Sequence, residues 1–517
     1  MKTTNMLGVM TALLIACSGS DEVDTGDVSD GSSGGGQDTT NATDTAPDTA
    51  PDTAPDTASD TAPDLVQPDD VTPIPDAAEE LPLFPAVELT ELTPACGPLS
   101  GGNAVTVSGS VQVPDLSILI DDQSAVISRA ANPAGVGVEA PAATGEPRLV
   151  DVRATSSVQE DVTLADGYFY HTSVTWDVIT EPLPEGFGGS AIGDINGDGR
   201  ADRVFTVNNV VRAALAQDGP TSFGVSTDNT VCPSSSAIAA GEFTGDEFTD
   251  VLVGCQDKVF VLVGGADGLL DAGISSTISE TQSPFHEGFV VADLDNDGDL
   301  DAINRWQGSE SVVVLLNDGT GRFEVATTVE PGAGLNIFHA ADVTGDGNAD
   351  LLTGHFDQGE LRVHLGQGDG TFGSPVVNDV GGVQTLSAAD YDGDASNGDE
   401  ILVGSNDASV GATVMSFSAT GQSSAFRPLV GGGLVGTMAG DFDNDGFADA
   451  IVATNPGARL YLGGGAGLGS CFIPIEMPNA PYAFPVGEIN GDGFPDFSYW
   501  NPNSLSFVTL LSRSTAP

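Results

Sequence analysis

Apolar residues in this chain gather in short runs rather than in long stripes: DRVFTV from Asp202, DVLVGC from Asp250, DLLTGH from Asp350 and DAIVAT from Asp449. Aliphatic, β-branched runs of about six residues read as strands. An acidic turn precedes each of them, clearest in ADLDNDGDLDAI, where Asp293, Asp295, Asp297 and Asp301 stand at positions 1, 3, 5 and 9 and Gly298 at position 6. Copies begin at Asp194, Glu242, Asp293, Asp342, Asp390, Asp441 and Glu488, so successive starts are 48, 51, 49, 48, 51 and 47 residues apart. A period that regular marks a repeat architecture.

One period has room for four strands with tight connections. In the third unit they read as GFVVADL, DAINRW, ESVVVLLN and GRFEVATTV. Seven such units predict an all-β chain whose repeats are the four-stranded blades of a seven-bladed β-propeller, which limits sheet edges by closing a ring. The two ends of the repeat array support closure. After its acidic turn the last unit has only FSYW and SLSFVTLL, one strand short, and SVTWDVIT at 173–180 can supply the missing strand. Its continuation TEPLPEGFGGSAIGDINGDG parallels TVEPGAGLNIFHAADVTGDG, where one unit runs into the next.

Oxygen ligands at positions 1, 3, 5 and 9 can wrap one hard cation such as calcium, with a backbone carbonyl from position 7. EF-hands and dockerins open similarly, but a helix follows theirs and a strand follows here. The fullest sets are Asp194, Asn196, Asp198 and Asp202; Asp293, Asp295, Asp297 and Asp301; and Asp441, Asp443, Asp445 and Asp449. In the fourth loop, Asp342, Thr344, Asp346 and Asp350, a hydroxyl replaces one carboxylate; in the seventh, Glu488, Asn490, Asp492 and Asp496, a longer acid comes first. The fifth, Asp390, Asp392 and Asp394, runs on through ASNGDE, and Asp399 is its candidate last ligand. The second, Glu242, Thr244, Asp246 and Asp250, has Glu247 where glycine belongs and is expected to stay empty. Turn-forming chemistry alone accounts for Asp, Asn and Gly in any one loop, but not for acids at fixed positions in all of them. About five to seven Ca2+ ions are therefore expected. At millimolar calcium, sites binding at about 0.1 mM contribute about 1.4 kcal/mol each, so five or six give about 7 to 8 kcal/mol.

From about Ser173 onward these loops and strands resemble the FG-GAP or VCBS repeat family, the integrin-α-like propellers with calcium in their blade loops. Ahead of them, LTPACGPLSGGNAVTVSGS and DGYFYHT resemble an IPT/TIG domain, a small immunoglobulin-like sandwich, over residues 83–172. The resemblance implies surface recognition or adhesion, with calcium structural; fold alone does not settle it, because some propellers carry enzymes.

Residues 1–16 read as a signal: Lys2, then an apolar segment from Met6 to Ile15 too short for a span of about 20 residues. Leu14, Ile15, Ala16 and Cys17 resemble a bacterial lipobox, which implies cleavage before Cys17 and lipidation of it, and Ser18 after the cysteine implies sorting to the outer membrane. The expected location is thus the bacterial cell envelope, as an outer-membrane lipoprotein displayed at the surface. Residues 17–82 are rich in Thr, Ala, Pro and Asp and carry 17 acidic residues, too little apolar surface to fold, and read as an extended acidic tether. The net charge is −61, and beyond the tether 58 acidic residues still face 13 basic ones. That excludes nucleic acid and anionic membrane surfaces as partners of the folded part. Cys96, Cys232, Cys255 and Cys471 allow three pairings, of which Cys232 with Cys255, in neighbouring blades, is favoured; free buried thiols are the alternative.

Catalytic signatures are missing from the sequence: the five histidines show no zinc spacing, and there is no nucleophile elbow or phosphate loop. Aromatic and histidine side chains near the strand ends opposite the acidic loops, Trp306, His355, Phe356 and Trp500, with Phe285 and His286 beside them, are candidates for contacting a ligand. The reading is a monomeric, calcium-stabilised surface protein that recognises an extracellular protein or glycan. A polymer-degrading hydrolase or lyase on the same scaffold, or a purely structural envelope protein, are the alternatives.

Overall fold

The computed structural model describes residues 86–515, apart from 94, 133–134, 145–147, 172, 218–222, 233–234, 279–285, 307, 395, 406–410, 431–433, 455–456, 465–466, 470–471, 478–485 and 502–503. The expected signal, Cys17 and the tether lie outside the described residues, as do Phe285 and Cys471.

Residues 88–171 build a two-sheet sandwich. One sheet orders Glu88–Thr93, Ala104–Ser110, Gly135–Glu139 and Val126–Asn132; the other orders Cys96–Pro98, Gln159–His171, Arg148–Ser156, Ser117–Ile120 and Gln123–Ser124. Alternation places Val105, Val107, Val136, Val138, Ile118, Ile120 and Val152 in a common core. Tyr168 and Tyr170 are buried there with their hydroxyls satisfied: Tyr168 donates to Asn103 Oδ1 at 2.8 Å and Tyr170 to the carbonyl of Pro141 at 2.8 Å.

Seven four-stranded antiparallel sheets follow, with strands taken in chain order in the first six. We number them blades 1 to 7; the blades begin at Phe187, Ser235, His286, Leu335, Thr385, Leu434 and Val486. Blade 3 comprises His286–Ala292, Asp301–Trp306, Val312–Asn317 and Phe323–Val329. The first strand of each blade touches the first strand of the next, and that of blade 7 touches that of blade 1, so the ring is closed. Blade 7 takes its outermost strand from far upstream: Ser173–Pro182 pairs with Ser506–Thr515 through ten residue pairs.

The second strands explain why the runs are continuously apolar rather than alternating. Both their faces are covered by neighbouring blades, so Asp250–Cys255, Asp301–Trp306 and Asp350–His355 are buried at every position. Between blades 2 and 3, for instance, Leu252, Val259 and Val261 pack with Ala302, Trp306, Val313 and Leu315. A disulfide joins Cys232, just after the outer strand of blade 1, to Cys255 in blade 2. Cys96 is disulfide-bonded as well.

The closing strand, which completes blade 7, contacts the blades on both sides, blade 6 through Trp176 and blade 1 through Glu181. Trp176 of the closing strand sets its ring against Phe442 and Phe497 at 5.7 and 5.1 Å. Arg203 of blade 1 reaches Glu181 of the same strand at 2.7 Å.

Candidate metal centres

Each acidic loop joins the first strand of a blade to the second, so all seven lie on one rim of the ring. The position-9 acid opens the second strand and is wholly buried in six loops: Asp202, Asp250, Asp301, Asp350, Asp449 and Asp496. Its carboxylate ties the loop down. One oxygen accepts the N–H of position 2, as Ile195 to Asp202 at 3.0 Å and Leu294 to Asp301 at 2.9 Å. The other accepts an N–H at the end of the third strand, as Ala216 to Asp202 and Asn317 to Asp301. Position 1 collects backbone donors from the turn: Asp342 accepts from Gly345, Asp346 and Gly347, and Asp441 from Asp445 and Gly446.

Position 6 needs a left-handed residue. Gly199, Gly298, Gly347, Gly446 and Gly493 have φ between 85 and 95°, and a Cβ at any of them would meet nothing within 4 Å, so backbone conformation rather than space selects glycine. In the second loop Glu247 is forced to φ 76°, a conformation costly to a side chain.

Carboxylates converge in three loops among the described residues: Asp293, Asp295 and Asp297; Asp390, Asp392 and Glu400; and Asp441, Asp443 and Asp449, each set with ligand oxygens within 4.8 Å of one another. In the third loop, Asp293 Oδ1 and Asp295 Oδ1 are buried without a hydrogen-bond partner. Buried acceptors left open at mutually repelling carboxylates fit a cation. The donor set, all hard oxygen, suits calcium better than a transition metal.

Two expectations shift. The fifth loop closes with Glu400, not Asp399: Glu400 Oε2 accepts the N–H of Tyr391 at 3.0 Å, the bond that position 9 makes elsewhere. Two extra residues in that loop put the strand's first residue, and with it the tie, at position 11, where the acid is a glutamate. Asp399 instead donates its N–H to the carbonyl of Asp342 at 2.7 Å, bridging to the fourth loop. The first loop, expected among the fullest, does not gather its acids into such a set. Asp198 receives Arg200 Nη2 at 2.7 Å and Asn196 Nδ2 at 3.2 Å on the same oxygen. In the second and fourth loops the threonine at position 3 turns its hydroxyl to Asp250 at 3.0 Å and to Asp350 at 3.3 Å. In the seventh, Glu488 Oε1 accepts from Gly491 and Asp492, with Asn490 and Asp496 engaged by backbone donors.

Burial, reinforced by the neighbouring loop carboxylates, pushes Asp202 and Asp350 up to about 6 and Asp301, Glu400 and Asp496 up to about 7. Their folded pKa values exceed the unfolded ones, so without metal these groups favour the fold at low pH and that contribution is lost as pH rises through about 6 to 7. The histidines run the other way: burial lowers His286, His339 and His355, and His364 to about 4, so their contribution is full above the unfolded value of 6.5 and is lost as pH falls toward 4. Above the histidines' unfolded value of 6.5 their contribution is complete and only the carboxylate loss remains, so the metal-free protein is expected to lose stability as pH rises from there through about 7. Thermal unfolding between pH 5 and 8 checks this, and saturating calcium should flatten the alkaline limb by holding the carboxylates ionised.

The opposite rim differs from expectation. Trp306, His286 and His355 are 2 %, 1 % and 0 % exposed: Trp306 and His355 end second strands that lie between blades, and His286 opens the first strand of blade 3 and packs against Trp306. Trp306 Nε1 donates to the carbonyl of Gln256 at 3.3 Å, and His355 Nδ1 lies 3.0 Å from the carbonyl of Ala333. Trp500 packs on Phe187 at 5.8 Å. Phe356, in a short turn after the second strand of blade 4, is exposed.

These features define a seven-bladed β-propeller with an acidic loop rim, preceded by an immunoglobulin-like sandwich. Residues 342–397, from the fourth loop into the fifth, match the family model of the FG-GAP-like repeat. Residues 88–170 match that of the IPT/TIG domain. No curated protein matches the chain. Among solved structures it is similar to BBS1N in complex with ARL6DN, at 14 % identity and TM-score 0.47, over 66 % of this chain and 98 % of that one. It is also similar to an Agrocybe aegerita lectin described as recognising non-reducing terminal N-acetylglucosamine, at 16 % identity and TM-score 0.41, over 70 % and 94 %. A third is an auxiliary nutrient binding protein from Bacteroides ovatus, at 11 % identity and TM-score 0.36, over 83 % and 98 %.

Proposed function

We propose that the protein is a calcium-stabilised recognition module, held at the outer membrane through a lipid on Cys17 and carried outward by the acidic tether to meet an extracellular glycan or protein. The observation that carries the calcium part is the convergence of carboxylates in the third, fifth and sixth loops, with two buried oxygens of the third left open. In this reading the metal is structural. Each cluster cross-links a first strand to a second strand at the rim, and the carboxylates that fill the loops leave little open coordination for a substrate. Binding then falls to the opposite rim, where Phe356 is the exposed aromatic among the described candidates.

Native mass spectrometry of the full chain in millimolar calcium tests the metal. About three ions are expected, with one fewer in Asp295→Asn; an ion-free protein would sink the reading. For the ligand, a glycan array probed with the full chain is the first measurement. Phe356→Ala should weaken any signal by about tenfold without altering the melting temperature, the behaviour of an exposed aromatic anchor. An unchanged signal would remove Phe356 from the binding surface.

A further inference from the structure

The first loop has everything the sequence asks of a cation site and yet its oxygens are already engaged. Asp194 Oδ1 accepts from Gly197 at 2.8 Å and Asp198 at 3.1 Å, and its Oδ2 from Gly199 at 2.7 Å. Asp198 Oδ1 accepts from the N–H of Arg200 at 3.0 Å, while Oδ2 takes the Arg200 guanidinium at 2.7 Å. Asp202 is held on both oxygens by Ile195 and Ala216. In the third loop, by contrast, Asp293 Oδ1 and Asp295 Oδ1 are buried with no donor at all.

Two differences separate the first loop from the third: position 3 is Asn196 rather than an aspartate, and the position-7 side chain reaches back to Asp198. Position 7 holds Arg200 in the first loop, and Phe248, Asp299, Asn348, Phe447 and Phe494 in the second, third, fourth, sixth and seventh. Arg200 is well placed to act locally: its side chain is 21 % exposed and that of Asp198 28 %. Its stem also lies against the seventh loop, where a Cβ on Gly491 would stand 3.6 Å from Arg200 Cδ. The next residue, Ala201, donates its N–H to the carbonyl of Glu488. The side chain therefore sits where the last blade meets the first.

We propose that Arg200 is a built-in cation that takes the place of a metal in the first loop, so that the seam of the ring is closed by protein charge while the third, fifth and sixth loops take calcium. A guanidinium delivers positive charge and directional donors to a carboxylate without any dependence on ion supply. The seam is also the one blade junction that must join the two ends of the propeller. With Arg200 in place, that junction forms as the chain folds, before any ion binds, and calcium then stiffens a ring that is already shut.

This inference rests on the calcium reading above, and counting ions by native mass spectrometry in the full chain at 1 mM calcium separates the two. In the wild-type protein, Asp198→Asn is expected to leave the number of bound calcium ions unchanged, whereas Asp295→Asn removes one. Arg200→Gln, which keeps an amide but loses the charge, should gain one ion, and that gained ion should disappear in Arg200→Gln combined with Asp198→Asn. Arg200→Lys, which keeps the charge, should bind the wild-type number. A second readout is stability in chelator: Arg200→Gln should melt lower than wild type there, and the gap should narrow as calcium is added. If Asp198→Asn in the wild-type background loses an ion, the first loop already holds calcium and the inference is overturned while the calcium reading stands. If Arg200→Gln gains no ion, Arg200 is not what excludes one, and the inference is equally overturned. If neither Asp198→Asn nor Asp295→Asn changes the count, the calcium reading itself fails and takes this inference with it.

Discussion

Stripping calcium from the full chain with a chelator is expected to lower its melting temperature by about 8 °C relative to millimolar calcium, from about 4 kcal/mol of lost stabilisation at about 2 °C per kcal/mol. The figure follows from three converging loops rather than from all seven, each binding at about 0.1 mM and so contributing about 1.4 kcal/mol at 1 mM calcium. It is about half of what five or six loops would supply. Magnesium should restore little of the shift, because its small octahedral shell fits poorly into a cage of carboxylates that suits a larger ion. Asp295→Asn, Glu400→Gln and Asp443→Asn should each remove about a third of the calcium-dependent shift, and the triple variant all of it, if the three sites act independently. In the fifth loop the decisive comparison is Glu400→Gln against Asp399→Asn: the first should abolish one ion and the second should not. A calcium shift that survives in the triple variant would place the ions elsewhere and dismantle this account of the rim.

The periodic loops and the strands after them were legible because both are local. A turn that gathers oxygens needs particular residues at particular offsets, and a strand covered on both faces needs a continuous apolar run, so DVLVGC and DLLTGH announce themselves. The closing strand was legible for a related reason, since the sequence that follows it repeats the join between two blades. Less was legible where the answer depends on competition between donors. Nothing in the spacing of Asp194, Asn196, Asp198 and Asp202 shows that Arg200 will reach back to Asp198, nor that Thr344 will turn to Asp350. Glu400 was hidden by a two-residue insertion, although the fact that it immediately precedes the apolar run ILVG, as the position-9 aspartates precede theirs, was a usable signal. Trp306 and His355 were placed at the correct ends of their strands, but a strand end does not reveal which neighbour covers it. In a closed ring the second strands lie deep between blades, and the aromatic side chains at their ends are consumed by packing.

The second large effect concerns the latch between the closing strand and blade 1. Arg203, whose side chain is 6 % exposed, lies between the rings of Phe223 and Phe507 at 4.1 and 4.2 Å, and its Nη2 meets Glu181 Oε2 at 2.7 Å. Its Nε and Nη1 have no hydrogen-bond acceptor, so the two aromatic faces and a single carboxylate offset the cost of burying the charge. Burial depresses the pKa of Arg203 and Glu181 opposes that shift. Removing the carboxylate's charge with Glu181→Gln leaves the guanidinium buried without its counter-ion, for which a loss of about 3 kcal/mol is expected, the low end of the usual range because the side chain of Glu181 is 34 % exposed. Arg203→Met combined with Glu181→Leu keeps the apolar contacts and removes both charges, and should fall within about 1 kcal/mol of wild type. Urea unfolding of the wild type, Glu181→Leu, Arg203→Met and the double variant measures the coupling directly. Because Glu181 belongs to the strand that completes blade 7, Glu181→Gln should also speed amide exchange over 173–182 before it speeds exchange elsewhere in the ring. Losses in Glu181→Leu and Arg203→Met that simply add in the double variant would mean that the ion pair contributes nothing of its own, and that the closing strand is held by its ten-residue pairing with Ser506–Thr515 and by Trp176 instead.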